Sequence, residues 1–402
     1  MRLHRNLCFT VIDSLSMIFN DGEYAGKVVE KALKRDKRWG ARDRKFVAET
    51  IYDITRWKRL YNEIAGTKEH YSRENLWKMF AVWATLKGIE LPDWKYFETT
   101  PVRRIKGKFD ELQSDRKIKE SIPDWMDEVA VKELGEAVWT REIAAMNQKA
   151  EVILRVNTLK IDVSTLQKFL RKEEVDTEFV RDNPTALRLV ERKNVFLTEA
   201  FKRGYFEVQD ASSQLVAPFL QVEPGMRVID TCAGAGGKTL HLAAIMENKG
   251  QIIALDIYGG KLAQLKKRAK RAGVHNVDMR VIDSTKVIKK LKDSADAVLI
   301  DAPCSGIGVL KRNPDSKWKL QPEFMDKIRD TQAEILDKYS QMVKPGGKLV
   351  YATCSILPSE NENQVKTFLD SHKEFKFVED KKISPSKSGF DGFYMALLEK
   401  TL

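Results

Sequence analysis

Cysteine and histidine are scarce in this chain, and long apolar runs are absent from it. The 402 residues include 4 cysteines and 5 histidines, and no two cysteines have the C-x-x-C spacing of zinc and redox sites. Neither a disulfide framework nor a metal site is therefore expected. No apolar run reaches the ~18 residues that span a bilayer, and the N-terminal stretch lacks a signal-peptide cleavage site. We expect a cytoplasmic protein without a membrane segment.

Acidic residues are outnumbered by basic ones, 58 to 70, which gives a formal charge of +12 and a pI of about 9.3. Such a surplus favours a polyanionic partner, because cationic side chains release counterions when they contact phosphates. Eight basic residues lie between Lys31 and Lys45 around Trp39, and Arg56 to Arg59 follow. This stretch is either a solvated face or an RNA contact.

The periodicity of apolar residues changes twice along the chain. Helical spacing from Arg2 to about Glu142 predicts an all-helical domain over residues 1–145. Short strand-like runs around one helix predict a small α+β, RRM-like module over residues 146–208. From Gln209 onward strands and helices alternate, which predicts an α/β, Rossmann-like domain over residues 209–402 with a mostly parallel sheet and helices on both faces. We expect a monomer.

The sheet of the third part has seven predicted strands. Four of them are expected to end on aspartate, and ligands of open α/β sheets bind beyond the carboxyl ends of the strands. Asp230, Asp256, Asp283 and Asp301 should therefore lie along one rim. The predicted strands are 227–230, 251–256, 277–283, 297–301, 348–353, 375–378 and 393–398.

A glycine-rich loop follows the first of these strands, from Asp230 to Thr239, and leads into an apolar helix. Glycines there let a ligand approach the helix amides. A phosphate-binding P-loop would need glycine where Cys232 stands. The dinucleotide fingerprint fails as well, because Thr239 occupies the place of its third glycine. Neither ATP nor NAD is supported.

The aspartates behind this loop suit an adenosine without a phosphate. A carboxylate at Asp256 can accept both hydrogen bonds of a ribose diol, and Asp283 is within plausible reach of an adenine amino group. S-adenosylmethionine is such a ligand, and its sulfonium would be attracted to an acidic rim. The competing interpretation is that the aspartates only cap helices, but an ordered series behind a glycine loop favours the ligand site.

Two cysteines follow strand ends on the same side of the sheet. Cys304 lies in the loop after Asp301, and Cys354 lies in the next such loop, before a capping-box spacing from Ser359 to Glu362. Carbon 5 of cytosine is too poor a nucleophile to attack a methyl sulfonium until a thiolate adds to carbon 6. An acid near ring nitrogen 3 would assist, and Asp301 is the nearest candidate. Position alone does not assign the roles of the two thiols.

With these motifs in view, the chain resembles the Sun or Fmu family of RNA cytosine-5 methyltransferases over nearly its whole length. The N-terminal part looks like the NusB-like RNA-binding domain of the bacterial enzymes that modify small-subunit ribosomal RNA. The matching segments are Asp43–Glu49 with Tyr52, Leu154–Lys160, Gln209–Ser213, Cys232–Thr239, Asp256, Asp283, Asp301–Gly306, Arg312–Trp318, Pro345–Gly347 and Thr353–Ser355.

The resemblance implies a role for each site residue. Cys354 is expected to be the nucleophile, Cys304 to assist product release, and Asp301 to help hold the donor. One departure is that Ala235 stands where the family's donor loop usually has proline. The residues expected to hold S-adenosylmethionine are Cys232, Ala233, Gly234, Ala235, Gly236, Gly237, Lys238, Asp256, Lys261, Asp283 and Asp301.

The expected function is formation of 5-methylcytosine in RNA, with ribosomal RNA as the first candidate and tRNA as an alternative substrate. An adenine or uracil methyltransferase would share the donor site but would have no use for two matched cysteines. A second class of function is a non-catalytic RNA-binding assembly factor that retains the fold. Retention of both thiols and of the four aspartates argues against it.

Overall fold

The computed structural model describes residues 3–67 and 71–401; Arg2, where the helical part was expected to begin, lies outside them. Two compact units are present. The first comprises Met1–Gln148 and Leu310–Pro322, and the second comprises Lys149–Val309 and Glu323–Leu402. The three-domain division stays a prediction. Within the described ranges no helix combines the length and the apolar character needed to cross a membrane.

The first unit is helical. Its amphipathic helices enclose an apolar core that includes Leu15, Ile51 and Trp77, and Trp77 stacks on Tyr96 with 4.5 Å between ring centroids. The helices are α1 (Arg5–Phe19), α2 (Ala25–Leu33), α3 (Ala41–Arg56), α4 (Lys58–Ala65), α5 (Arg73–Leu86), α6 (Val102–Glu111), α7 (Arg116–Lys119), α8 (Asp124–Leu134), α9 (Glu136–Met146) and, from the later segment, α17 (Ser316–Lys319).

The segment Leu310–Pro322 packs into this helical unit, which the sequence did not predict. The ammonium group of Lys317 is fully buried and donates to the carbonyl oxygen of Arg56 at 2.9 Å and to Asn147 Oδ1 at 3.1 Å. Burial lowers the pKa of Lys317 well below its ordinary value. The indole of Trp318 donates to the carbonyl oxygen of Thr55 at 2.7 Å. Residues of the Arg312–Trp318 motif are therefore structural parts of the first unit.

The second unit contains two sheets. The smaller sheet is antiparallel, with strand order β2-β3-β1-β4, and its core includes Leu154, Leu166 and Phe206. Its fourth strand was not expected from the sequence. The elements are β1 (Ile153–Val156), α10 (Val163–Lys172), β2 (Thr177–Val180), β3 (Asn183–Leu189), α11 (Glu199–Lys202) and β4 (Phe206–Val208).

The larger sheet has the order β10-β11-β9-β8-β5-β6-β7. Its first five strands in sequence pair in parallel, and β11 pairs antiparallel with both β9 and β10, so β11 alone runs opposite to the others. The strands are β5 (Arg227–Asp230), β6 (Gln251–Asp256), β7 (Val277–Val281), β8 (Ala295–Asp301), β9 (Val343–Thr353), β10 (Phe375–Ile383) and β11 (Phe393–Lys400). The predicted seven-stranded, mostly parallel sheet is confirmed.

Helices cover both faces of this sheet, with apolar cores on either side built around Leu240 and Leu265 and around Leu336 and Phe368. The remaining helices of the second unit are α12 (Ala211–Gln214), α13 (Val216–Phe219), α14 (Gly237–Ile245), α15 (Gly259–Ala272), α16 (Thr285–Lys289), α18 (Pro322–Ser340), α19 (Glu362–Ser371) and α20 (Pro385–Ser388).

One of the four strand ends expected at an aspartate is wrong. β7 ends at Val281, so Asp283 lies two residues beyond it rather than at its end. The neighbouring strand β6 stops at Asp256, which pairs with Val281, and an edge strand has no second neighbour to extend its ladder. The other three aspartates, at positions 230, 256 and 301, do end their strands.

Candidate functional site

The loop between β5 and α14 turns sharply on its glycines. Gly234 and Gly236 have φ of +55° and +88°, in the left-handed region that favours glycine. At Gly236 an added Cβ would lie 2.0 Å from Leu265 Cδ1, so a side chain here would force Leu265 to move. The turn thereby brings the first amide groups of α14 to the rim of the sheet, as the sequence predicted for a ligand loop.

A cavity of about 480 Å³ opens beside this loop. Its size is typical of a site for a small molecule or cofactor. Nine of the eleven predicted donor residues line it, together with several that the sequence analysis did not name, including Ile257, Tyr258 and Arg268. The nine are Cys232, Ala233, Gly234, Ala235, Gly237, Lys238, Asp256, Lys261 and Asp301.

Two predicted donor residues are not among those that line the cavity. Gly236 supports the turn against Leu265. Asp283 is exposed and accepts a hydrogen bond from its neighbour Ser284, while Ile282 lines the cavity in its place. A donor contact by Asp283 stays a prediction.

Exposed apolar side chains at the cavity form a feature that sequence reasoning missed. Ile257 and Tyr258 are 58% and 57% exposed although they follow a buried strand end directly. An apolar pair immediately after an acidic strand end was the available signal. Such a pair offers a planar base a surface on which to pack.

The carboxylate of Asp256 is buried and holds the loop. Its two oxygens accept hydrogen bonds from the backbone N–H groups of Gly234 and Tyr258, both at 2.8 Å. Each carboxylate oxygen can accept a further bond. The side chain is thus fixed by the protein while retaining acceptor capacity for a ligand in the cavity.

Asp301 and Lys238, which both line the cavity, form an ion pair in which Lys238 Nζ donates to Asp301 Oδ2 at 2.6 Å. Burial by itself lowers the pKa of Lys238, but the attraction and hydrogen bond of Asp301 outweigh it, and the pKa lies above its ordinary value. Lys238 is therefore a cation at neutral pH.

Asp230 is almost fully buried at the end of β5. Its Oδ2 accepts a hydrogen bond from Thr239 Oγ1 at 2.7 Å, whereas Oδ1 has no partner among the described residues. Burial, opposed by the Thr239 bond and assisted by the charge of Asp301, raises the pKa of Asp230 to about 7. Asp230 is thus a residue of the cavity lining whose carboxylate is only partly satisfied by described residues.

Two motif residues of the smaller sheet brace the same loop. The guanidinium of Arg155 donates to the carbonyl oxygen of Gly237 and, at 2.5 Å, to Gln209 Oε1. Burial lowers the pKa of Arg155 to about 10, so it stays charged at neutral pH. The sequence motifs around these residues thus have a structural reason, which is to hold the donor loop.

The two predicted catalytic thiols are in contact. Cys304, after β8, and Cys354, after β9, have their Sγ atoms 3.2 Å apart, and the backbone N–H of Gly308 donates to the carbonyl oxygen of Cys354 at 3.0 Å. The hydrogen bond to Cys354 and then burial raise the pKa of Cys304 well above its ordinary value. Cys304 therefore keeps its proton at neutral pH.

The other two thiols lie in less reactive surroundings. Burial raises the pKa of Cys232 to about 12, and it also raises the pKa of Cys8 to about 12 in the helical core. A thiol that holds its proton so firmly is a poor nucleophile. Cys8 thus packs as a small apolar residue in the core of the helical unit.

The capping box expected at Ser359 is wrong. Pro358–Glu360 forms a 3-10 turn, and α19 begins at Glu362 after Asn361 without a side-chain cap. Both members of the expected box have other partners. Ser359 Oγ accepts a hydrogen bond from Arg329 at 3.4 Å, and the carboxylate of Glu362 pairs with Lys382.

The basic stretch of the helical unit divides into buried and exposed parts. Trp39 is buried, and the buried guanidinium of Arg56 donates to the carbonyl oxygen of Lys311 at 2.9 Å. Neither is available to RNA. Lys37, Arg42 and Lys45 are exposed and remain the candidates for phosphate contacts.

Two family models match the chain. The model described as 16S rRNA methyltransferase RsmB/F matches residues 217–399, and the ferredoxin-like domain of RsmF/B-like methyltransferases matches residues 122–196. Among solved structures, that of PH0851 covers 100% of both chains with a TM-score of 0.85 at 26% identity. A methyltransferase homolog from Pyrococcus horikoshii covers 71% of this chain and 98% of its own, with a TM-score of 0.64 at 28% identity.

Curated relatives carry the same family name. The probable ribosomal RNA small subunit methyltransferase B of Synechocystis sp. is 34% identical over 298 residues, which are 70% of this chain and 67% of the relative. The ribosomal RNA small subunit methyltransferase B of Yersinia enterocolitica is 36% identical over 273 residues, 65% of this chain and 62% of the relative. The matched stretch thus spans slightly less than two thirds of the latter. These matches confirm the predicted family: the chain belongs to the RsmB/F family of ribosomal RNA small-subunit methyltransferases.

Proposed function

We propose that this protein is an S-adenosylmethionine-dependent methyltransferase that forms 5-methylcytosine in small-subunit ribosomal RNA. The observation that carries the proposal is the contact between Cys304 and Cys354, two thiols on neighbouring strand ends beside the cavity. Methylation of an exocyclic amine or a ribose hydroxyl has no use for a thiol, whereas carbon 5 of a pyrimidine needs one.

The cavity residues fit S-adenosylmethionine. Asp256 would hold the ribose hydroxyls, Ile257 and Tyr258 would pack on the adenine, and the unpartnered Oδ1 of Asp230 would face positive charge on the ligand. When bound, S-adenosylmethionine supplies an electrophilic methyl group.

The resemblance of Thr353–Ser355 to the family's motif implies that Cys354 is the nucleophile. Its thiolate adds to carbon 6 of the cytosine. A sulfur–carbon bond forms, and the ring electrons move toward nitrogen 3. The Lys238–Asp301 pair holds a proton next to the cavity, which suits it to neutralise that charge.

Release of the product needs two further events. The proton on carbon 5 leaves, the bond between carbon 6 and Cys354 Sγ breaks, and its electron pair returns to sulfur. Cys304, in contact with Cys354 Sγ, is placed to donate its proton to the departing thiolate. The base that takes the carbon 5 proton is Asp301, a water or the substrate.

Replacement of Asp256 should weaken binding of the methyl donor. Asp256→Asn keeps the size of the side chain but removes the charged acceptor from the ribose hydroxyls, so affinity should fall by roughly 1 to 3 kcal/mol. Calorimetry with S-adenosylmethionine measures it. Glu247→Gln is the control, because Glu247 is exposed and pairs with Lys249. Equal dissociation constants for Asp256→Asn and wild type would remove Asp256 from the site.

The exposed basic residues of the helical unit should carry salt-dependent RNA affinity. The triple variant Lys37→Ala, Arg42→Ala, Lys45→Ala removes three exposed cations. The slope of log affinity against log salt should therefore fall by about 0.7 to 0.9 for each RNA phosphate that the protein no longer neutralises. Filter binding across a salt series measures it.

The matched control for that variant removes three exposed lysines of the second unit, at positions 366, 373 and 376, with the same change in net charge. An equal fall in slope for both variants would mean that RNA responds only to total charge. Truncation before Glu151 is a poorer test, because it would strip the packing partners from buried Lys317.

The proposed activity itself is tested by bisulfite sequencing of total RNA from a deletion strain and its parent. Loss of one or more 5-methylcytosines, restored by the wild-type protein, is the expected result. An unchanged methylation map accompanied by a defect in ribosome assembly would favour the non-catalytic assembly factor instead.

A further inference from the structure

A buried carboxylate bridges the two cysteine loops. Glu360 is fully buried, and it lies in the turn between β9 and α19, outside the residues assigned above to the donor or to the chemistry. Two of its contacts reach Ser305, the residue after Cys304. A third reaches Ser355, the residue after Cys354.

The hydrogen bonds of Glu360 are short and come from both sides. Oε1 accepts from Ser305 Oγ at 2.5 Å and from Ser355 Oγ at 2.6 Å. Oε2 accepts from the backbone N–H of Ser305 at 2.8 Å and from Gln332 Nε2 at 3.0 Å. Gln332 also donates to the carbonyl oxygen of Pro303 at 2.9 Å. Four donors thus satisfy one buried carboxylate, which would otherwise be costly to bury.

The geometry points to Glu360 as a positioning residue that holds Cys304 and Cys354 in register by fixing the residue that follows each of them. This inference rests on the proposed function, since it assigns a purpose to the contact between the thiols. The backbone hydrogen bond from the N–H of Gly308 to the carbonyl oxygen of Cys354 also joins the two loops. Unlike Glu360, however, it does not contact both of the residues that follow the cysteines. The negative charge of Glu360 additionally helps Cys304 to keep its proton.

The variant Glu360→Gln keeps the size of the side chain but changes its hydrogen-bonding groups, so it tests the hydrogen bonds without a change in volume. A glutamine has one acceptor oxygen and one donating NH₂ group, so it cannot accept all four bonds, and the backbone N–H of Ser305 cannot rotate away. Misplacement of reacting groups by a fraction of an ångström to 1 Å lowers kcat by roughly 10- to 100-fold. The dissociation constant of S-adenosylmethionine and the KM for RNA should stay within about twofold, because no cavity-lining residue changes.

A second readout is independent of methylation. Diamide, a diazene oxidant, takes two electrons and two protons when two neighbouring thiols become one disulfide. The rate at which the Cys304–Cys354 disulfide forms, followed by mass spectrometry of peptides, reports how well the thiols are held together. Glu360→Gln should slow it by about tenfold through the loss of effective concentration.

Two further variants complete the design. Glu362→Gln is the matched control, because Glu362 is two residues away, partly exposed and paired with Lys382, and it should leave both readouts unchanged. The double variant Ser305→Ala, Ser355→Ala removes the two hydroxyl contacts and serves if Glu360→Gln does not fold. If Glu360 acts through these serines, adding Glu360→Gln to the double variant should cost less than it costs alone.

The outcomes separate this inference from the proposed function. A lower kcat together with slower disulfide formation supports the positioning role. A change in only one readout, or in neither, overturns it. If the wild-type protein makes no 5-methylcytosine, the proposed function is wrong. The positioning role is then wrong as well if the Cys304–Cys354 disulfide forms at the same rate in Glu360→Gln as in wild type.

Discussion

Cys354→Ala and Cys354→Ser should abolish methyl transfer and should form no covalent complex with RNA. The attacking sulfur is absent from both variants, and a serine hydroxyl has far too high a pKa to add to carbon 6 at neutral pH. Binding of S-adenosylmethionine should be retained, because Cys354 is not among the residues that line the cavity. Methyl incorporation and denaturing gel electrophoresis with RNA and donor measure the two losses.

Cys304→Ala should behave in the opposite way on the gel. Its nucleophile is intact, so the sulfur–carbon bond forms and the methyl group is transferred. The thiol that contacts Cys354 Sγ is gone, so the bond to carbon 6 breaks slowly and the RNA stays attached to Cys354. A slowly migrating band should therefore accumulate with Cys304→Ala.

The double variant Cys304→Ala, Cys354→Ala is the control for that band, since removal of the nucleophile should remove the adduct. Adding Cys8→Ala to Cys304→Ala provides a second control. The thiol of Cys8, whose pKa is raised to about 12 by burial, should not carry the adduct, so the band should remain. A band with Cys354→Ala and none with Cys304→Ala would mean that the two roles are reversed.

The sequence predicted those parts of the fold that depend on local pattern. Strands β5 and β6 have the predicted bounds, because a buried parallel strand is a run of apolar residues that ends where the chain turns. The end of β7 could not be predicted in this way. Whether β7 extends to Asp283 depends on the neighbouring strand β6, which ends at Asp256. Pairing between strands that are distant in sequence is not visible in the local pattern of residues.

In the candidate site, too, local motifs could be predicted and contacts between distant residues could not. Its glycine loop and its two cysteine loops are each a local motif, and they could be located from the sequence. Glu360 could not, because its hydrogen-bond partners Ser305 and Gln332 are 55 and 28 residues away. The spacing from Ser359 to Glu362 on either side of it suggested only a helix cap. The segment around Lys317 was missed for the same reason, since its acceptors at Arg56 and Asn147 are 261 and 170 residues away.

Ionisation of Asp230 should make the stability of the protein fall as pH rises. Burial, and secondarily the charge of Asp301, raises the pKa of Asp230 in the folded chain to about 7 from an ordinary value of 3.8. Between these two values the folded chain holds a proton that the unfolded chain has released. The stabilisation is therefore fully present below about pH 3.8 and is lost as pH rises through about 7.

Asp230→Asn removes this titration. Relative to Asp230→Asn, the free energy of unfolding of wild type should fall by up to about 4 kcal/mol between pH 4 and pH 8. A tenfold difference in proton affinity between the folded and unfolded chains corresponds to about 1.4 kcal/mol. Denaturant unfolding at several pH values measures it. Asp176→Asn, at an exposed aspartate, is the control and should show no comparable trend. A constant difference between wild type and Asp230→Asn would mean that Asp230 is ionised in the folded protein throughout this range. Bound S-adenosylmethionine should reduce the trend, because its sulfonium favours the ionised carboxylate.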